Sequence, residues 1–153
     1  SFLIDKGTDD GIAVDMNVIA DAGLVGRVSA VGTNWARVQS IIADNASVSG
    51  KVLSSSDNLI VTGSLELYQS GKIAWSKLVD PADEVAVGDK VVTSDISDKY
   101  LPGLLIGYIS DVKLDANNLT KSGELVPVVD FEHLSEVLIL LTMKEDHTGE
   151  AAE

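Results

Sequence analysis

Two ordered blocks of this sequence occur twice, and a chain with an internal repeat is expected to fold as two related units. Asp10-Gly11-Ile12-Ala13-Val14-Asp15-Met16-Asn17-Val18-Ile19 shares its apolar pattern with Asp83-Glu84-Val85-Ala86-Val87-Gly88-Asp89-Lys90-Val91-Val92. A second block follows each: Gly23-Leu24-Val25-Gly26-Arg27-Val28-Ser29-Ala30-Val31, then Gly103-Leu104-Leu105-Ile106-Gly107-Tyr108-Ile109-Ser110-Asp111-Val112. The copies lie 73 residues apart at the first block (10 to 83) and 81 apart at a glycine of the second (26 to 107), so the second copy carries an 8-residue insertion. It falls within 93–102, where Asp95, Ser97, Asp98 and Pro102 suit an extended loop. Single short β patterns match by chance; two blocks matching in order favour duplication.

Each copy reads as a turn, a strand, a connection and a glycine-kinked strand, and a small closed barrel needs such a kink where a strand bends sharply. Gly23, Gly26, Pro102, Gly103 and Gly107 are therefore assigned to backbone geometry. Strands are expected at 2–5, 17–21, 24–33, 36–42, 47–53, 58–62, 72–78, 90–94, 104–114, 124–130 and 136–143. In Lys72-Ile73-Ala74-Trp75-Ser76-Lys77-Leu78, for instance, polar and apolar residues are expected to sort to opposite faces at period two. The fold predicted is all-β: two small closed barrels of about six strands each, packed in tandem and related by duplication. The first spans 1–79 and the second 80–143, with strand exchange between them allowed, and 144–153 is a polar tail expected to be disordered. A hydrophobic content of 45% over 153 residues suffices for the cores.

A formal charge of −13 repels a phosphate backbone and anionic lipid headgroups, which argues against nucleic acid and direct membrane docking. With no cysteine, disulfides, thiol catalysis and Cys-ligated zinc are excluded. No apolar run approaches the roughly 20 residues of a membrane span. The chain opens on Ser1-Phe2-Leu3-Ile4-Asp5, which reads as a strand under way and predicts a piece of a longer protein.

No catalytic constellation is visible. His133 and His147 are the only histidines, and no nucleophile elbow accompanies them; Ser94 is the nearest candidate serine. Asp5, Asp9 and Asp10 superficially suggest a calcium loop, but its third position is Gly7 and its twelfth is Met16, so a solvated turn is the reading. Glycine loops lack phosphate-cradle spacing. No cofactor or metal is expected. Trp75, with Ile73 nearby, reads as core, whereas Trp35 sits in a turn.

Ile4-Asp5-Lys6-Gly7 with Asp10-Gly11-Ile12, Gly23 to Val28, Val87-Gly88-Asp89-Lys90-Val91-Val92-Thr93-Ser94 and Pro102-Gly103-Leu104-Leu105-Ile106-Gly107-Tyr108-Ile109 together resemble the rod shape-determining MreC family in the right order. One departure is Asp95 where that family commonly has glycine after Thr-Ser. The resemblance implies a two-barrel region on the extracytoplasmic face of a bacterial membrane, tethered only by an N-terminal anchor that precedes this sequence. It further implies a non-enzymatic scaffold of cell-wall elongation that maintains cell shape and self-associates as a dimer or filament. Implied partners are an MreD-like membrane protein, a class B penicillin-binding protein and the MreB system.

Loops carry function more often than cores do. Candidate partner contacts are therefore Trp35; Asp95, Ser97, Asp98 and Tyr100 in the inserted loop; and Asn117 and Asn118 in the loop 115–123. Two rival readings are a module binding wall carbohydrate, which would need aromatic platforms, and a two-barrel serine hydrolase, which would need His133 beside a serine and an aspartate.

Overall fold

The computed structural model describes residues 1–143. Its strands are β1 (Phe2–Ile4), β2 (Asn17–Ala20), β3 (Gly23–Val31), β4 (Ala36–Ser40), β5 (Ser47–Val52), β6 (Asn58–Thr62), β7 (Ile73–Leu78), β8 (Lys90–Thr93), β9 (Leu105–Leu114), β10 (Lys121–Pro127) and β11 (Leu138–Leu140). One turn of helix, α1 (Leu65–Tyr68), joins β6 to β7, and the Ser64 hydroxyl caps it by accepting from Leu67 N at 3.2 Å. The expected tail at 144–153 lies outside the described residues.

The chain is all-β, as expected, in two sheets. One closes as a six-stranded barrel in the order β10-β7-β6-β5-β8-β9, and the other is a five-stranded sheet in the order β1-β4-β3-β2-β11. Trp75, Leu59, Ile73, Leu78, Ile106, Ile109 and Leu125 fill the barrel almost without exposure. Val18, Val25, Val28, Ala36 and Val38 form the smaller core beneath the second sheet. Trp75 is a core residue whose indole N–H donates to Glu124 O at 3.0 Å.

The duplication is written into the strand pairing. In the first copy β2 pairs with β3 so that Val18 faces Gly26, followed by a bulge; in the second β8 pairs with β9 so that Val91 faces Gly107, followed by a bulge. The turn before each hairpin repeats bond for bond. Asp15 N donates to Val28 O at 2.8 Å and Val28 N to Met16 O at 2.9 Å, while Gly88 N donates to Ile109 O at 2.7 Å and Ile109 N to Asp89 O at 2.9 Å. Both turns need a left-handed residue, supplied by Gly88 at φ 96° and by Asp15 at φ 74°, a conformation that aspartate tolerates better than most residues. Gly26 and Gly107 share one steric reason: a Cβ would stand 1.9 Å from Gln39 O in the first copy and 2.1 Å from Val126 O in the second.

The division of the chain differs from the expected boundary at 79/80. Strands β5, β6 and β7, expected in a first barrel, pair with β8 and β10 in the barrel that holds the second copy, and β11 returns to pair with β2. The expected first barrel is accordingly a five-stranded sheet. Each duplicated three-strand unit needs extra strands to cover its apolar face. The second unit takes the 47–78 segment, and the first recruits β1 and β11.

Between β7 and β8, Asp80 organises the crossover. Its carboxylate accepts from Glu84 N and Val85 N, both at 3.0 Å, and pairs with Lys121 at 3.0 Å; Lys121 also contacts Asp83. Burial by itself would raise the Asp80 pKa, but these donors outweigh it and hold the carboxyl below its usual range. A depressed carboxyl contributes stability above its unfolded pKa and loses it as the pH falls through the folded value. Asp80→Asn is therefore expected to lower the melting temperature at neutral pH and to flatten its decline on acidification, as calorimetry from pH 7 to 3 would record.

Candidate functional site

The inserted loop of the second copy folds onto the sheet of the first. Asn17 of β2 is 2% exposed and bridges to it: Oδ1 accepts from Leu101 N at 2.8 Å, and Nδ2 donates to Lys99 O at 3.0 Å. Asp15, at the left-handed turn position, pairs with Arg27 of β3 at 2.9 Å and with Lys99 at 3.0 Å. Thr93 closes the base of the loop, donating from Oγ1 to Leu101 O at 2.7 Å and accepting from Leu104 N at 2.8 Å. The insertion is a strap between barrel and sheet.

That corrects two of the expected partner contacts. Ser97 is buried, and its hydroxyl accepts from Tyr100 N at 3.1 Å; Tyr100 is 5% exposed beside the Arg27 guanidinium and the Asp15 carboxylate. Both side chains are turned into the protein and leave little surface for a partner. Burial pushes the Tyr100 phenol up to about 12. Because its protonated form is favoured in the folded state, the stability it confers is complete below the unfolded value near 10 and is lost between there and about 12. In ultraviolet titration beside the parent, Tyr100→Phe should lack the tyrosine ionisation at about 12.

The remaining candidates lie at the surface. Trp35 is 40% exposed in the β3–β4 turn, its indole packed over Gly32. Asp95 and Asp98 are exposed on the strap, with Asp95 3.6 Å from Lys51. Asn117 and Asn118 are exposed at the β9–β10 turn, which Asn117 orders by accepting from Leu119 N at 2.9 Å and Thr120 N at 3.0 Å. Asp115 completes that turn, accepting from the Thr120 and Ser122 hydroxyls, each at 2.6 Å. The structure does not bring these three groups together. Gly23 packs against Val128, and Gly103 supplies a left-handed turn residue after the exposed Pro102.

A surface that sequence reading missed runs across the outside of the barrel. Leu53 N donates to Lys90 O at 2.9 Å, Lys90 faces Tyr108, and Tyr108 faces Val126, so these four residues form one cross-strand row. Leu53, Tyr108 and Val126 are 50%, 37% and 42% exposed. Their outward direction follows from buried neighbours Val52, Val91, Ile109 and Leu125. The signal existed in each strand's alternation, but only the register puts the residues side by side.

His133 is exposed at a turn and, among the described residues, its ring bonds Asp130 at 2.9 Å. Ser94 is fully buried. Among the described residues, His133 therefore has no serine partner.

Residues 1–141 match the family described as "Rod shape-determining protein MreC, barrel core". The chain belongs to the MreC family. It is 31% identical over 148 residues to the cell shape-determining protein MreC of Listeria monocytogenes, covering 95% of this chain and 49% of that one. The chain thus spans about half the length of this MreC relative. A solved structure described as the major periplasmic domain from the cell shape-determining filament MreC superposes with a TM-score of 0.73 at 24% identity, covering 88% of this chain and 81% of that one. MreC in a complex with penicillin-binding protein PBP2 from Helicobacter pylori shares the fold, with a TM-score of 0.61 at 15% identity over 80% of this chain and 74% of that one.

Proposed function

We propose that this chain is the partner-binding β region of a cell shape-determining scaffold, without enzymatic activity, working on the extracytoplasmic face of a bacterial membrane. In this reading the whole protein is anchored by a segment N-terminal to this sequence and self-associates as a dimer or filament. It holds together the wall-elongation machinery through an MreD-like membrane protein, a class B penicillin-binding protein and, across the membrane, the MreB system.

The observation that carries the reading is the Leu53–Lys90–Tyr108–Val126 row. Aromatic and apolar side chains exposed together on a rigid sheet are the usual core of a protein interface, and aromatic anchors supply much of its affinity. The Helicobacter pylori complex supports a penicillin-binding protein as the occupant, and the likeness to a periplasmic MreC domain supports the location. Trp35, Asp95, Asp98, Asn117 and Asn118 are proposed as peripheral contacts.

Interferometry with the class B penicillin-binding protein of the same organism tests this. Tyr108→Ala together with Val126→Asp should weaken binding by about a hundredfold or more, as loss of an interface anchor does. Unchanged affinity, or capture by purified peptidoglycan that free sugar competes away, would sink the scaffold reading in favour of a carbohydrate-binding module.

A further inference from the structure

Lys90 stands inside the exposed row on the barrel, between Leu53, whose N–H donates to its carbonyl at 2.9 Å, and Tyr108, its cross-strand neighbour. The chain carries a net charge of −13, and most of its bases are paired in place. Arg27, Lys51, Lys72, Lys99, Lys113 and Lys121 each meet a carboxylate. Lys90 is exposed and forms no ion pair among the described residues.

The surroundings of Lys90 account for this. The carboxylate next to it in sequence, that of Asp89, accepts from Ala86 N at 2.9 Å and so closes the turn before β8. Leu53 and Tyr108 on the flanking strands carry no charge, and the row continues to Val126. Glu124, two positions from Val126 on β10, is already paired with Lys72 at 3.8 Å. The four-carbon stem of Lys90 therefore extends the apolar row while its ammonium stays in water. A partner that covered the row with apolar groups alone would strip that water away and put nothing in its place, which is costly for a charged group. A carboxylate on the partner removes the penalty.

We propose that Lys90 selects the protein that docks on the row by requiring a carboxylate: the docking surface is apolar where it meets Leu53, Tyr108 and Val126, and places one aspartate or glutamate against the Lys90 ammonium. The inference rests on the row being the partner-binding surface and adds the charge pattern of its occupant. Apolar contact supplies affinity and the ion pair supplies choice, because a neutral or basic group at that point leaves the ammonium buried and unpaired.

Interferometry with the same penicillin-binding protein separates the two claims. Lys90→Met, which keeps the apolar stem, should weaken binding by about tenfold or more, and Lys90→Glu by about a hundredfold or more, whereas Lys90→Arg should stay within about threefold of the parent. Added salt should weaken the parent complex more than that of Lys90→Met. Reversing one aspartate or glutamate of the penicillin-binding protein to lysine should restore binding to Lys90→Glu while weakening it to the parent, which identifies the counter-ion. If Lys90→Met and Lys90→Glu bind as the parent does while Tyr108→Ala with Val126→Asp still disrupts the complex, the row stands and the role of Lys90 falls. If that double variant binds unchanged, the row and the role of Lys90 fall together. Failure of every such charge reversal to rescue Lys90→Glu would also overturn the proposal.

Discussion

Gly107→Val melts at least 6–12 °C below the parent protein, and Gly26→Val behaves the same way. The expectation is steric. A Cβ at Gly107 would lie 2.1 Å from the backbone oxygen of Val126, and one at Gly26 1.9 Å from that of Gln39, so the obstructing atom in each case is the main chain of the next strand. Main chain cannot rotate away as a side-chain tip can. Forcing the strands apart costs about 3 kcal/mol at the upper end of overpacking penalties, which in a protein of this size moves the midpoint by roughly 6–12 °C. Valine melts equal to the parent's at both sites would remove the steric basis for the two glycines.

Asn17→Ala loosens the strap between barrel and sheet. The substitution leaves Leu101 N and Lys99 O without the partner that now satisfies them, in a place where Asn17 itself is 2% exposed. Both bonds are only part-buried, so water can partly replace the lost partner and the combined loss is about 1–3 kcal/mol. Hydrogen exchange should quicken at 97–104 more than in β5–β7. Lys99→Met removes only a half-exposed ion pair to Asp15 and should cost well under 1 kcal/mol, a typical value for surface pairs. The duplicate position supplies the control. Lys90 occupies in the second copy the place Asn17 holds in the first, but it is exposed, so Lys90→Ala should leave the melt unchanged. If Asn17→Ala is as silent as Lys90→Ala, the strap does not join the two sheets energetically.

The strands were legible because side-chain alternation and turn residues are local. Strands expected at 47–53, 58–62 and 90–94 are found at Ser47–Val52, Asn58–Thr62 and Lys90–Thr93. The largest displacement is β10, expected from 124 but starting at Lys121. Its opening Lys-Ser-Gly looks like loop, and it becomes strand because the Asp115 carboxylate, by binding Thr120 and Ser122, completes a tight turn just before it. Site residues were read less well. Ser97 and Tyr100 are polar residues in an inserted loop, which on sequence grounds resembles a binding loop, and nothing local says that Asn17, some 82 positions from Lys99, will receive it.

Sequence alone determined the all-β class, the strand positions and the duplicated hairpin with its paired glycines. Only the tertiary structure decided that 47–78 completes the barrel of the second copy and that β11 returns to pair with β2 in the first sheet. The division has a physical cause. Side chains encode which face of a strand turns inward, and that pattern survives in the sequence. Which edge meets which is settled by backbone N–H and C=O groups that are the same at nearly every residue, so the choice depends on how the assembled sheets best cover their apolar faces.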